Sequence, residues 1–149
     1  MKRPYVFLAV ALASAASVAT VANAQSGIPT ARSSSSATVQ LRHTSLGNIL
    51  VNSSGRTLYE FTRDRTGKST CVTIKGCSAV WPSLRSGRPT AGSGVKSSLL
   101  STSGGLVTYA GHPLYTYSGD YGAGETAYVG AKTFGGTWYA INASGGAVK

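Results

Sequence analysis

Carboxylates are nearly missing from this chain: 4 Asp and Glu residues stand against 14 Lys and Arg in 149 residues. The chain has one methionine, Met1, so no thioether copper site is implied once an N-terminal segment is removed. The two histidines, His43 and His112, are too few for a convergent ligand set, and His112 reads as a surface turn residue before Pro113. There is no Gly-x-Ser-x-Gly elbow, no Lys/Arg run and no nucleic-acid motif. No window beyond the N-terminal segment carries a helical stripe. None of these features points to a cofactor, a metal or a nucleophile–base set.

What is present begins with an export signal. Met1-Lys2-Arg3-Pro4 is basic, Tyr5 to Val21 is uncharged, and Ala22-Asn23-Ala24 is a small-x-small site. These three parts predict a cleaved secretory signal over 1–24. The run is too rich in Ala and Ser to serve as a strong anchor, and no basic stop-transfer cluster follows it. Residues 25–37, QSGIPTARSSSSA, have almost nothing to bury and read as a flexible segment. A single domain over 38–149 is expected to follow. Cleavage removes Lys2 and Arg3, so twelve cations face four acids, a charge of +8. Such a balance favours an anionic envelope polymer or surface as partner, and it also serves solubility. The location read from the signal is secreted or periplasmic.

Cys71 and Cys77 would meet an oxidising compartment, which makes a disulfide the default reading. A metal pair is the alternative. The spacing is not the usual two-residue gap of a zinc knuckle, and no His follows Cys77.

The chain repeats itself. Residues 49–70 align with 105–126 without a gap at an offset of 56. Leu50, Val51, Gly55, Leu58, Tyr59, Asp64 and Thr70 meet Leu106, Val107, Gly111, Leu114, Tyr115, Asp120 and Thr126. Phe61 meets Tyr117, and Trp81 and Trp138 follow at nearly the same offset. A period of this kind means two like units packed together, here about 46–84 and 104–144. Each unit reads as short strands between Gly- and Ser-rich turns. The expected fold class is all-β: two similar antiparallel repeats packed into one small domain, sandwich or barrel-like.

TLYEFTRD and PLYTYSGD both carry a Tyr-x-(Phe/Trp/Tyr)-x-x-Asp signature. Cys77-Ser78-Ala79-Val80-Trp81-Pro82-Ser83-Leu84 is similar to a Cys-Ala-x-x-Trp-Pro-Pro-Leu block. From Leu46 to Ser144 the chain therefore resembles a prokaryotic family of secreted proteins and lipoproteins that carry a repeat of unknown function. The resemblance implies an envelope or extracellular location and paired repeats, with no settled activity. The lipid-modified Cys of many relatives is absent, and the gap between the two cysteines is longer than the usual one.

All four carboxylates, Glu60, Asp64, Asp120 and Glu125, lie in or just after the two motifs. Three readings follow for Asp64 and Asp120. Each precedes a Gly-containing turn and could fix it by accepting backbone N–H bonds. Together with Tyr59, Phe61, Tyr115 and Tyr117 they could form a ligand site, since aromatic faces beside carboxylates suit sugars or cations. Or they could act as the carboxylate pair of a glycan-active enzyme. The same four rings, and Trp81 and Trp138, read equally as core on alternating strand faces. The expectation is a non-enzymatic binding or structural module of the envelope or extracellular space; the glycan-active enzyme is the alternative.

Overall fold

The computed structural model describes residues 38–149; the expected signal over 1–24 and flexible segment over 25–37 lie outside the described residues. Nine short strands carry the fold. They are β1 (Val39–Thr44), β2 (Gly47–Asn52), β3 (Tyr59–Phe61), β4 (Leu100–Ser103), β5 (Leu106–Tyr109), β6 (His112–Pro113), β7 (Ala131–Thr133), β8 (Gly136–Ile141) and β9 (Ala147–Val148). A single four-residue helix, α1 (Cys77–Val80), and two 3₁₀ turns complete the elements among the described residues. All pairings between strands are antiparallel, and the strands form three open sheets that do not close into a barrel.

The two repeats build the same unit. In the first, β1 and β2 form a hairpin, and Val51 then bridges to Thr57. In the second, β4 and β5 form the hairpin, and Thr108 pairs with Pro113 of β6. Downstream, Glu60 pairs with Tyr139, while the Thr116 N–H donates to the Pro82 carbonyl at 3.0 Å. Tyr59 pairs with Ala140, and Tyr115 bridges to Ser83. Ile49 bridges to Asn142, and Leu106 to Arg85. Each of these pairs is the copy of its partner, displaced by 56 or 57 residues in the numbering.

Where the copies meet, the pairing becomes reciprocal. The Tyr59 N–H donates to the Tyr115 carbonyl at 2.8 Å, and the Tyr115 N–H donates to the Tyr59 carbonyl at 3.0 Å. A doubly bonded antiparallel pair is its own twofold, so an approximate axis passes between these tyrosines. The strands on either side are buried on both faces. Leu58 and Leu114 enter one cluster with Leu50, Val107, Tyr109 and Ile141, and Tyr59, Phe61 and Tyr115 enter another with Trp81 and Trp138. Alternation therefore sorts residues between two cores here, and not between core and solvent.

Cys71 and Cys77 are bonded and fully buried in the second cluster. The bridge holds a short loop against Trp81, a service the second repeat lacks because Ala127 stands where alignment places Cys71.

Two glycines show how closely the repeats approach. Gly55 and Gly111 occupy equivalent positions with φ of +81° and +84°. A Cβ on Gly55 would lie 3.0 Å from Ala123 Cβ, and one on Gly111 would lie 3.0 Å from Thr66 Cγ2. Each glycine thus abuts the post-Asp turn of the other repeat, and hydrogen bonds join them: Gly67 N–H to Gly111 O and Gly124 N–H to Gly55 O, both 2.8 Å. Gly55→Ala and Gly111→Ala should each cost about 1–3 kcal/mol, from positive φ and the close approach together. Chemical denaturation of both variants checks this, and a cost at one site only would break the equivalence.

Candidate functional site

The six residues singled out by the motif come together at the approximate axis, with partners exchanged between repeats. The Tyr59 hydroxyl donates to Asp120 Oδ2 at 3.0 Å, and the Tyr115 hydroxyl donates to Asp64 Oδ2 at 2.5 Å. The tyrosine of each motif therefore satisfies the aspartate of the other. Tyr59, Phe61 and Tyr115 are buried, Asp120 is 2% exposed, and Asp64 and Tyr117 are half-buried.

The spacing of the motif explains the exchange. Tyr and the second aromatic lie two residues apart, so both point into one core. The two residues after the aromatic turn the chain, shown by the Asp64 N–H bonding back to Phe61 O at 3.0 Å and the Asp120 N–H to Tyr117 O at 3.2 Å. The aspartate is thereby placed at the end of the strand, beside the tyrosine of the antiparallel neighbour.

The rings form one stack through the axis. Phe61 stacks on Trp138 at 4.1 Å, Trp138 on Trp81 at 4.0 Å and 3°, and Trp81 on Tyr117 at 4.6 Å. Tyr59 meets Trp81 edge-on and Tyr115 meets Trp138 edge-on, each at 5.1 Å. Such offset and edge contacts add to the burial of the rings themselves.

The two aspartates are not equally served. Asp64 Oδ1 accepts the Thr70 N–H at 2.6 Å, and Ser69 Oγ lies 2.7 Å from the Tyr115 hydroxyl. Asp120 Oδ1 is buried and has no partner. Alignment puts Glu125 where Ser69 stands, and its carboxylate instead caps the N–H groups of Tyr121 and Gly122 at 3.2 and 2.5 Å. Burial raises the pKa of both aspartates; Tyr115 and Thr70 pull Asp64 back down. Asp120 is pushed up to about 6, by burial first, with the Tyr59 hydrogen bond opposing and the Glu125 charge adding. Burial and the facing carboxylates also hold the Tyr59 and Tyr115 phenols well above their ordinary value.

Two residues outside the six, Arg56, which the sequence did not single out, and His112, read as a surface turn residue, also cross between repeats. Arg56 Nη2 donates to the Tyr117 carbonyl, and at the equivalent position His112 Nδ1 lies 3.4 Å from Glu60 Oε2. Glu60 is 7% exposed, and burial raises its pKa against the pull of His112. The alignment pairs Arg56 with His112, which is the signal that both serve one purpose. Among the described residues, no group of three or more His, Cys, Asp and Glu could hold a metal ion. No described helix is long and apolar enough to cross a membrane.

A family model described as a secreted repeat of unknown function matches residues 41–85 and 100–142, more than half the chain. The chain belongs to this family. The two matched segments carry the two halves of the reciprocal site, so the secreted repeat is in this chain one half of a paired unit. No curated protein and no solved structure matches the chain.

Asp64→Ala should cost about 2 kcal/mol, because the Thr70 N–H and the Tyr115 hydroxyl lose their acceptor. Asp64→Asn should cost clearly less, since the amide oxygen can keep the Thr70 bond and the amide nitrogen can donate to the phenol. Melting curves of the two variants decide this; equal losses would contradict it.

Asp120 makes a pH-dependent contribution. Its folded pKa, about 6, lies above the ordinary 3.8. The folded state therefore binds the proton more tightly, so this stability is present below about pH 4 and lost as pH rises through about 6. Asp120→Asn should stabilise the protein at pH 8 relative to pH 4 by up to about 3 kcal/mol, measured against wild type at each pH. Denaturant midpoints at the two values test the sign.

Proposed function

We propose that this secreted repeat protein is a non-enzymatic module that binds anionic polymers of the cell envelope or extracellular space. The observation that carries the reading is the separation of charge by depth. Arg42, Arg63, Arg65, Lys68, Lys75, Arg85, Arg88, Lys96, Lys132 and Lys149 are all exposed, and Arg56 alone among the described Lys and Arg residues is half-buried. Glu60 and Asp120 are buried, and Asp64 and Glu125 are half-buried. No described carboxylate side chain is fully exposed, so the exposed charged side chains among the described residues are all Lys or Arg. Such a surface raises the local concentration of a polyanion and holds it by many weak contacts.

The inner chemistry supports the same reading. A carboxylate pair that cleaves glycans must flank the scissile bond across an open cleft. Here Asp64 and Asp120 accept hydrogen bonds from Tyr115 and Tyr59 inside the domain. A cavity of about 220 Å³ at the β7–β8 hairpin is lined by Lys132, Gly135, Gly136 and Thr137, with no carboxylate among them.

Binding to an acidic polysaccharide, to a phosphate-rich wall polymer and to anionic vesicles should be measurable at low salt. It should weaken steadily as ionic strength rises and the Debye length contracts. Replacing Arg65, Lys68 and Lys75 together by Gln should weaken binding and flatten the salt dependence without changing the melt. Absence of binding to every polyanion at low salt would remove the proposal.

A further inference from the structure

The ring stack has two different ends. At one end Phe61 is 1% exposed, and Gly136 is packed so closely that a Cβ there would meet its ring. Phenylalanine is far harder to oxidise than tryptophan, so that end is closed chemically as well as sterically. At the other end Trp81 contacts Tyr117, and Tyr117 lies against Tyr128 with ring centroids 3.8 Å apart. Tyr117 and Tyr128 are both half-buried, so this end reaches solvent. The first repeat has no such extension: alignment puts Val72, an exposed residue, where Tyr128 stands.

Between these ends sit Trp81 and Trp138, stacked nearly parallel at 4.0 Å. Both indole Nε1 atoms are buried without a hydrogen-bond partner. An indole that loses an electron here finds no acceptor for its proton, so the charge stays as a mobile radical cation. Face-to-face contact at this distance gives the electronic overlap that lets it move.

We propose that the stack is a relay that carries an oxidising equivalent from the buried tryptophan pair to the surface pair Tyr117 and Tyr128. A one-electron oxidant of the radical class takes one electron from the indole pair and is itself reduced. Tyr117 then gives an electron to the Trp81 radical cation, which restores the indole. The phenolic proton of Tyr117 passes to water, leaving a neutral phenoxyl radical. A small reductant of the thiol or enediol class returns one hydrogen atom to the phenoxyl, and the chain is as it began. Tyr59 and Tyr115 are side branches: their hydroxyls face Asp120 and Asp64, but both rings are buried and meet no reductant.

The test uses the full chain and exploits its having two tryptophans. Photoionisation at the red edge of indole absorption, with a cobalt(III) ammine to take up the electron, creates the hole only at Trp81 and Trp138. A nitroso spin trap then marks the radical, and peptide mass spectrometry locates the adduct. The expected result is adducts on Tyr117 and Tyr128, with few on Tyr121 although it is 92% exposed. Tyr117→Phe keeps a ring in the stack and removes the redox step, so adducts at Tyr128 should fall by at least about tenfold. Adducts that stay on the tryptophans, that fall on Tyr59 or Tyr115, or that follow exposure with Tyr121 leading would overturn the relay. So would a Tyr128 yield that Tyr117→Phe leaves unchanged.

Discussion

The Tyr59–Asp120 and Tyr115–Asp64 hydrogen bonds couple the two halves of the chain, and much else is arranged around them. Neither repeat can complete its own motif. A half alone would leave its aspartate without the phenol donor and its buried phenol without the carboxylate acceptor, and a buried group left unpaired costs more than its bond contributes. Reciprocity thus makes the pair of repeats, and not the single repeat, the unit that folds. The backbone exchange between Tyr59 and Tyr115 and the crossed contacts of Gly55 and Gly111 bring the two turns close enough for those bonds to form.

The aromatic stack follows from the same pairing. Once Tyr59 and Tyr115 lie opposite each other, the strands beside them put Trp138 under Phe61 and Trp81 beside Tyr117. The tryptophans then meet face to face on the axis. The second repeat departs from the first at Glu125, Ala127 and Tyr128, where the first has Ser69, Cys71 and Val72. Ala127 confines the disulfide to the first repeat, and Tyr128 opens the stack to solvent.

The scarcity of acids takes on meaning from this architecture. Two of the four carboxylates join the repeats directly, Glu60 faces His112 across the same boundary, and Glu125 caps a turn. Acids are retained where the fold uses them, and the described exterior is left to cations. Fully exposed cations and withdrawn acids are two outcomes of one distribution.

Much of this was legible in the residues themselves. The offset of 56 between TLYEFTRD and PLYTYSGD announced two like units, alternation announced strands, and the gathering of acids in the motifs announced that Asp64 and Asp120 mattered. Such features are local or periodic, and each residue carries them wherever the chain goes. What the residues could not disclose was the exchange of partners. Two copies of one motif read alike whether each aspartate serves its own tyrosine or the other's, because the choice depends on which strand edges pair. Register also decided that both faces of the β3 strand are buried, which placed Glu60 inside and gave His112 and Arg56 their roles across the axis. The sequence determined which groups need partners; only the antiparallel pairing of Tyr59 with Tyr115, a long-range contact with no local signature, decided which partners they have.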